Sequence, residues 1–500
     1  MKYYDIVYLL PLLSIGLGAV VLMLLSPFKK FSIDKLSWVT LFFLVFAFGT
    51  NALNFGAVYS VTPYAKLFSS MIVSDTFAGY FSSIIIAGGI VTVLAGTHYF
   101  DKSNMLRGEV FSLLLFSIFG MLLLVQTKEL FTSFIALEIA SISLYVLIGF
   151  QKNYIRRVEG SFRYLILGSM ASMMFLLGVA LIYAGTKSTN ILEIANYLGA
   201  HKTEDMTLVI TGGTLILITF LFKIAAFPFQ NWSMDVYDGA PLPITAFMAS
   251  TFKVAIFGFA LRFVLVDFHE LKNVWSDILF YIAILTMLYG SFLAIFQTSL
   301  KRMLAASSIV HTGYLLIAFV SINSIGESAA TSIIFYLIAY FLSSMGAFGM
   351  LSYIASDDHL RVTYEDFRGF SHIRPYMAAM MSIFMLSLAG IPSTIGFIGK
   401  FYIFIGAIES GYTLLAVVGI LATFVSVYYY FKLIALMYFY PSSEMKGKIP
   451  PLRGIPPLVI AVMAILVIWG GIGNTLISYF PGIDFLIDTA KFAYQSLFMG

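Results

Sequence analysis

Hydrophobic residues dominate this chain in windows of about twenty, the length that carries a helix across a bilayer. Polar and charged residues gather between those windows. The pattern predicts fourteen spans, at 5–27, 36–58, 77–97, 109–127, 129–150, 161–185, 207–238, 243–266, 276–297, 302–322, 329–353, 375–407, 412–438 and 456–480. The expected fold is therefore an all-α polytopic membrane protein with about 14 transmembrane helices. The segment Asp5–Leu25 lacks a small-residue cleavage site and is read as a retained helix.

Two windows, 207–238 and 375–407, exceed what a straight helix needs to cross. Both carry a break inside, Ala226-Phe227-Pro228-Phe229 and Ala389-Gly390-Ile391-Pro392. Proline removes a backbone donor and clashes with the preceding turn, so each is expected to be a discontinuous helix. Weak internal matches fall at a near-constant offset. Tyr145-Val146-Leu147-Ile148-Gly149-Phe150 resembles Tyr314-Leu315-Leu316-Ile317-Ala318-Phe319, 169 residues on; Pro228 and Pro392 are 164 apart; Thr251-Phe252 and Thr423-Phe424 are 172 apart. This predicts two five-helix repeats, and an odd number of helices per unit makes them inverted. The expected organisation is three N-terminal helices in 1–105, a first repeat in 106–268, a second in 269–440, and a last helix with a short tail in 441–500.

Loops after odd-numbered spans hold 17 Lys and Arg residues against 7 on the other side, which places both termini outside by the positive-inside rule. Mean hydropathy is +0.94 and only 11% of residues are charged, leaving little for a soluble domain. The 500 residues include no cysteine, which excludes thiolate metal sites and cysteine-ligated clusters within the chain. A net charge of +4 and no basic tail argue against nucleic acid as a partner. No paired His or Asp/Glu stands at metal-ligand spacing around His311, and the glycines Gly88 and Gly89 lie in an apolar span and predict close helix packing.

Within the spans, ionisable residues are few: Glu138, Lys223, Lys253, His311 and Lys400, with Arg262 and Lys432 nearer span ends, where snorkelling is an equal expectation. A charge in hydrocarbon costs at least ~2.5 kcal/mol, so intramembrane charges face protein or water and by default mark an ion pathway. Glu138 and Lys223, on spans 5 and 7 of one repeat, are expected to pair; separating them would release the lysine proton to the next acceptor. Lys253, His311 and Lys400 would continue the relay, parallel to the membrane, where water fills the gaps. His311 sits in polar company, with Ser307, Ser308, Thr312 and Tyr314.

Three long stretches carry a resemblance: FKIAAFPFQNWSMDVYDGAPLPITAFMASTFKVA, QTSLKRMLAASSIVHTGYLLIAF and LSLAGIPSTIGFIGKFYIF. They resemble the antiporter-like membrane subunits of respiratory complex I and the related Mrp antiporters, over roughly residues 105–440. Lys400 in GFIGKF, the length near 500 and the short stretch after the last span resemble the N-type branch of that family. The resemblance implies a subunit that translocates protons, with Glu138 and Lys223 as coupling pair, Lys253 as connecting lysine, His311 as central relay and Lys400 as outlet residue. It implies NADH, FMN, iron–sulfur clusters and quinone in partner subunits and no cofactor in this chain. Partners would be K-type and M-type neighbours and the lipid of a bacterial inner membrane. A Mrp-type cation/proton antiporter subunit, or the membrane subunit of a related hydrogenase, is the alternative reading. Gln230 stands where many relatives carry His, Met234 where many carry Pro, Arg163 for a lysine and Ser291 for a common Asn. Gln230 cannot titrate, which puts proton duty at that position in doubt.

Overall fold

The computed structural model describes residues 3–28, 33–58, 65–68, 71–103, 105, 107–200, 206–267, 272–355, 362–441, 454–476 and 482–498. In chain order the helices begin with α1 Tyr3–Leu25 and α2 Ile33–Val58, then a small antiparallel hairpin of β1 Ala65–Leu67 and β2 Ile72–Ser74, then α3 Thr76–Lys102. Next come α4 Gly108–Gln126, α5 Leu130–Ile148, α6 Ile155–Thr186, α7 Ile191–Ala200, α8 Thr207–Lys223, α9 Asn231–Gly239, α10 Leu242–Phe247 and α11 Lys253–Arg262. The second half runs through α12 Lys272–Ile295, α13 Leu300–Ile354, α14 Phe370–Ile373, α15 Pro375–Ala389, α16 Ile395–Glu409, α17 Thr413–Phe439, α18 Ile455–Leu476 and α19 Ile483–Ser496.

Among the described residues, 11 helices are long and apolar enough to cross a membrane, and α8 and α15 are shorter apolar helices. Every predicted window has a helical counterpart. The predicted spans 302–322 and 329–353 are the two helical halves of α13, separated at Gly326, whose backbone is non-helical with φ 31°. The hairpin, α7 and α19 were not foreseen. The hairpin and α7 are too short to register as spans. In α19 apolar residues alternate with Asp484, Asp488 and Lys491, and an amphipathic helix falls below any hydropathy threshold.

The two long windows break as the prolines require. Helix α8 ends at Lys223 with Ala225 in the left-handed region, φ 57°, and the Ala226 N–H returns to the Leu221 carbonyl at 3.0 Å. Helix α15 ends at Ala389 with Gly390 at φ 81°, and the Ile391 N–H returns to Leu386 at 3.0 Å. Both are six-to-one C-terminal closures, 165 residues apart. Freed backbone groups are recaptured: Trp232 Nε1 donates to the Phe222 carbonyl at 3.0 Å and the Phe227 N–H donates to Thr286 Oγ1 at 3.0 Å. That recapture is what lets a broken helix persist away from water.

The span after the first break, 242–267, contains two π-helical turns, Met248–Phe252 and Phe263–Asp267, flanking α11. Helix α3 presses against the first of them at Gly88, where an added Cβ would lie 2.1 Å from Thr251 Oγ1. The paired glycines thus serve the close packing read from the sequence.

Arg262 corrects one expectation. It does not snorkel: it is 0% exposed and forks onto Asp75, with Nη1 to Oδ2 at 2.8 Å and Nη2 to Oδ1 at 2.9 Å. It also donates to the Val125 carbonyl at 3.2 Å, the C-terminal end of α4. Asp75 is the N-cap of α3, accepting from the Ala78 N–H at 2.7 Å. One guanidinium thus joins the ends of α3, α4 and α11, and a buried fork-to-fork pair has the geometry that offsets desolvation. Arg262→Ala leaves the Asp75 charge buried and alone, and should destabilise the protein by about 3–5 kcal/mol. A thermal melt of the detergent-purified protein reads this; a midpoint equal to wild type would show that the pair does not hold these helix ends.

Candidate functional site

The five intramembrane residues fall into two clusters. Lys223, Lys253, His311 and Lys400 are each no more than 3% exposed. Among the described residues no ion pair within 4.0 Å reaches any of the three lysines. Their ammonium groups are solvated by hydroxyls, carbonyls and ring faces.

The first cluster joins α5, α6 and α8. Lys223 Nζ donates to Ser141 Oγ at 2.9 Å and to Tyr145 Oη at 3.2 Å, and lies 5.7 Å from the ring centroids of both Tyr145 and Tyr164. Half-buried Glu138 accepts a hydrogen bond on Oε1 from Ser172 of α6. The expected Glu138–Lys223 ion pair is therefore not formed. Ser141 stands three residues beyond Glu138 on the same face of α5 and takes the ammonium, while the carboxylate accepts from buried Ser172 of α6. Glu138, Ser141 and Tyr145 make a polar stripe at helical spacing, with the acid and the lysine at its two ends.

The second cluster is built around the first half of α13. Lys253 Nζ donates to the Ser308 carbonyl and Oγ, both at 2.8 Å, and to Thr312 Oγ1 at 2.9 Å. Thr312 Oγ1 in turn donates to the Ile224 carbonyl at 3.0 Å. Ile224 follows Lys223 in the first helix break, so one hydroxyl ties the two clusters together. His311, next to Thr312, contacts Tyr336 through Nδ1 at 2.5 Å and Tyr430 through Nε2 at 3.2 Å. Its ring meets Tyr314 edge-on, with centroids 5.5 Å apart. Lys400 Nζ lies 4.9 Å from the centre of that same Tyr314 ring and donates to the Leu388 and Ala389 carbonyls at 2.8 and 3.1 Å.

The lysines relate to the breaks in a matched way. Lys223 is the last residue of α8, and Lys400 reaches back from α16 to the last carbonyls of α15. The two C-terminal closures are 165 residues apart, which sets Lys223 against Leu388, whose carbonyl Lys400 holds. The Lys400 ammonium therefore sits at the negative end of α15, a placement worth roughly 0.3–1 kcal/mol, and up to ~2 when partly buried, whereas the Lys223 ammonium leaves the end of α8 for the hydroxyls of α5.

The structure brings Lys253, His311 and Lys400 around one helix, and Glu138 and Lys223 onto another. Sequence reasoning missed Ser141, Tyr145, Ser172, Tyr336 and Tyr430. The i+3 and i+7 spacing of Ser141 and Tyr145 from Glu138 was the available signal; nothing local points Tyr336 or Tyr430 at His311, which lies 25 residues or more away. Gln230 is 3% exposed, and its Oε1 has no hydrogen-bond partner among the described residues. Arg163 pairs with Glu159 at 2.6 Å and Asp235 at 2.5 Å. Half-buried Lys432 lies 4.6 Å from the Tyr364 ring centre. At the end rich in basic residues a cavity of about 520 Å³ opens where both halves meet, lined by Arg156, Arg163, Asp235, Asp238, Lys301 and Arg302 among others. It reaches Leu242, where the span that carries Lys253 begins.

Residues 127–426 match the family model described as NADH:quinone oxidoreductase/Mrp antiporter, TM. The chain is 40% identical over 430 residues to a protein named NADH-quinone oxidoreductase subunit N from Trichlorobacter lovleyi, with 86% of each covered. It is 36% identical over 479 residues to one named NADH-quinone oxidoreductase subunit N 1 from Solibacter usitatus, covering 96% of this chain and 95% of the relative. A chain from a structure of respiratory complex I from Thermus thermophilus with bound aureothin superposes with a TM-score of 0.77 at 28% identity, covering 93% of this chain and 98% of that one.

The hydroxyl between the clusters gives a test. Thr312→Val keeps the shape but removes an acceptor for the Lys253 ammonium and leaves the Ile224 carbonyl unpaired. Hydrogen bonds to charged groups are worth about 1.5–3 kcal/mol, and the thermal midpoint of the purified protein should fall accordingly. An unchanged midpoint would mean that Ser308 alone holds Lys253.

Proposed function

The chain belongs to the NADH:quinone oxidoreductase/Mrp antiporter transmembrane family, and on that footing we propose that it is the N-type proton-translocating subunit in the membrane arm of an NADH:quinone oxidoreductase. The observation that carries this reading is the set of three buried ammonium groups, two of them on residues flanking helix breaks, with Thr312 linking Lys253 to the first break beside His311. Fixed charge of this kind has no structural use that an apolar core would not serve more cheaply.

The chain works without a redox centre of its own. Its 500 residues include no cysteine to hold a cluster. NADH, FMN, the iron–sulfur clusters and the quinone belong to partner subunits, and K-type and M-type subunits flank this one in the arm. The membrane is the bacterial inner membrane, and both termini lie outside; the 17-to-7 distribution of Lys and Arg supports that orientation.

Proton movement rests on the geometry of the ammonium groups. Lys223 is held by two hydroxyls of α5, both of which depend on how α5 lies against the break. A shift of the neighbouring subunit that moves the Glu138 stripe alters what solvates Lys223, and the proton passes to the next site. Thr312 connects the first break to Lys253, and His311 and Lys400 continue the route. Glu138 acts from the far end of the α5 stripe through Ser141, so its influence is electrostatic and not that of a contact ion pair.

Lys223→Ala should abolish NADH-driven proton translocation through this subunit while the complex still assembles. Native-gel assembly, quinone reduction and proton uptake by inverted vesicles are measured on the same membranes. Normal pumping by an assembled Lys223→Ala complex would sink this proposal. Purification without flavin and iron–sulfur companions would move it to a Mrp-type antiporter, and sodium/proton exchange would be assayed next.

A further inference from the structure

His311 carries two hydrogen bonds that the lysine sequence does not need. Its Nδ1 faces the hydroxyl of Tyr336 at 2.5 Å and its Nε2 faces that of Tyr430 at 3.2 Å. The three residues come from different parts of the fold: His311 before the Gly326 bend of α13, Tyr336 after it, and Tyr430 from α17. Tyr336 is 1% exposed and Tyr430 0%. An imidazole placed between two phenols, one on each ring nitrogen, is a proton wire and not simply a packed ring.

We propose that Tyr336 and Tyr430 carry the proton into and out of His311, and that the histidine works by exchanging tautomers between these two phenols. The proposal rests on the reading of His311 as a relay residue. A neutral imidazole has one N–H and one bare nitrogen, so it accepts from one phenol and donates to the other. In one direction the Tyr336 O–H gives its proton to Nδ1 while Nε2–H gives its own to Tyr430 Oη. The former Tyr430 hydroxyl proton leaves to water on its far side, and water resupplies Tyr336. One proton enters, one leaves, and the ring ends neutral in the other tautomer. Ring rotation, which moves the N–H without returning the proton, resets it; the reverse transfer carries the proton in the opposite direction.

The surroundings favour passage without a charged ring. Lys253 from α11 is anchored one residue away, on Thr312, and Lys400 from α16 lies on the Tyr314 ring that touches His311. The other groups facing the imidazole are phenols: Tyr314 and Tyr340 by their rings, and Tyr336 and Tyr430 by their hydroxyls. Among the described residues no carboxylate pairs with His311 within 4.0 Å. A proton added to the ring would create a third positive charge beside two ammonium groups.

The test uses the intact membrane complex with Tyr336→Phe, Tyr430→Phe and His311→Ala as separate variants. Each is checked for assembly on a native gel and then for coupled quinone reduction and proton uptake. The proposal expects both phenylalanine variants to lose coupled turnover at least tenfold, matching His311→Ala. Wild-type turnover in either phenylalanine variant, with His311→Ala inactive, overturns the two-phenol passage and leaves the relay reading standing. Wild-type turnover in His311→Ala overturns the relay reading itself. Should a phenylalanine variant fail to assemble, fluorotyrosine at the same position keeps ring and hydroxyl and acidifies the phenol. The pH profile of coupled turnover then shifts if the phenol carries the proton, and an unmoved profile overturns the proposal.

Discussion

An ammonium group removed from water needs replacement solvation, and this chain supplies it three times without a carboxylate in contact. Lys223 takes two hydroxyls, Lys253 takes two hydroxyls and a carbonyl, and Lys400 takes two carbonyls. Aromatic faces lie near each of them. A contact carboxylate would hold the proton in one place by Coulomb attraction that is strong at low dielectric. Neutral dipoles hold it more loosely, and small displacements change their sum. A transport site profits from that looseness, and much of the architecture follows from the need to present dipoles deep in an apolar bundle.

Helix breaks are the means. A continuous helix has its carbonyls bonded internally, and only its ends leave several unsatisfied. Breaking α8–α9 and α15–α16 brings two such ends into the bundle; Lys400 occupies the second, and Trp232 and Thr312 take the carbonyls of the first. The break frees the Ile224 carbonyl to accept from Thr312, so the local unwinding next to Lys223 makes the connection to Lys253. Helix α13 is the other half of the arrangement. Its first half presents Ser308, His311, Thr312 and Tyr314 to both lysines, and its bend at Gly326 returns Tyr336 to His311.

Much of this was legible before any coordinates. Span windows come from burial in hydrocarbon, which acts on every residue, and so they survive as helices with small shifts at the ends. The prolines at 228 and 392 and the matching offsets located the breaks. The lysines announced themselves because a charge is costly wherever it sits in a span. What escaped was pairwise. Asp75 lies at the start of its span, where an acid is ordinary, so nothing flagged it as the partner of Arg262. The expectation of a Glu138–Lys223 contact rests on opposite charge and on spans 5 and 7 sharing a repeat, neither of which resolves a single turn, and Ser141, one turn along α5, takes the ammonium instead. Hydroxyls carry little signal in a sequence, since Ser, Thr and Tyr occur in apolar helices for many reasons, and only geometry separates Tyr336 and Tyr430 from the rest.

The matched breaks also bear on why the two halves differ in charge. At the second break Lys400 reaches back to the carbonyls that end α15, while at the first Lys223 leaves the helix end and takes hydroxyls of α5. Ala225 and Gly390 matter as much as the lysines, because their left-handed backbone turns the chain away and frees the last carbonyls for side-chain donors, Trp232 and Thr312 at the first break and Lys400 at the second. On this view the constraint common to both halves is a backbone one, an open helix end buried in the bundle, and the side chains that answer it need not align.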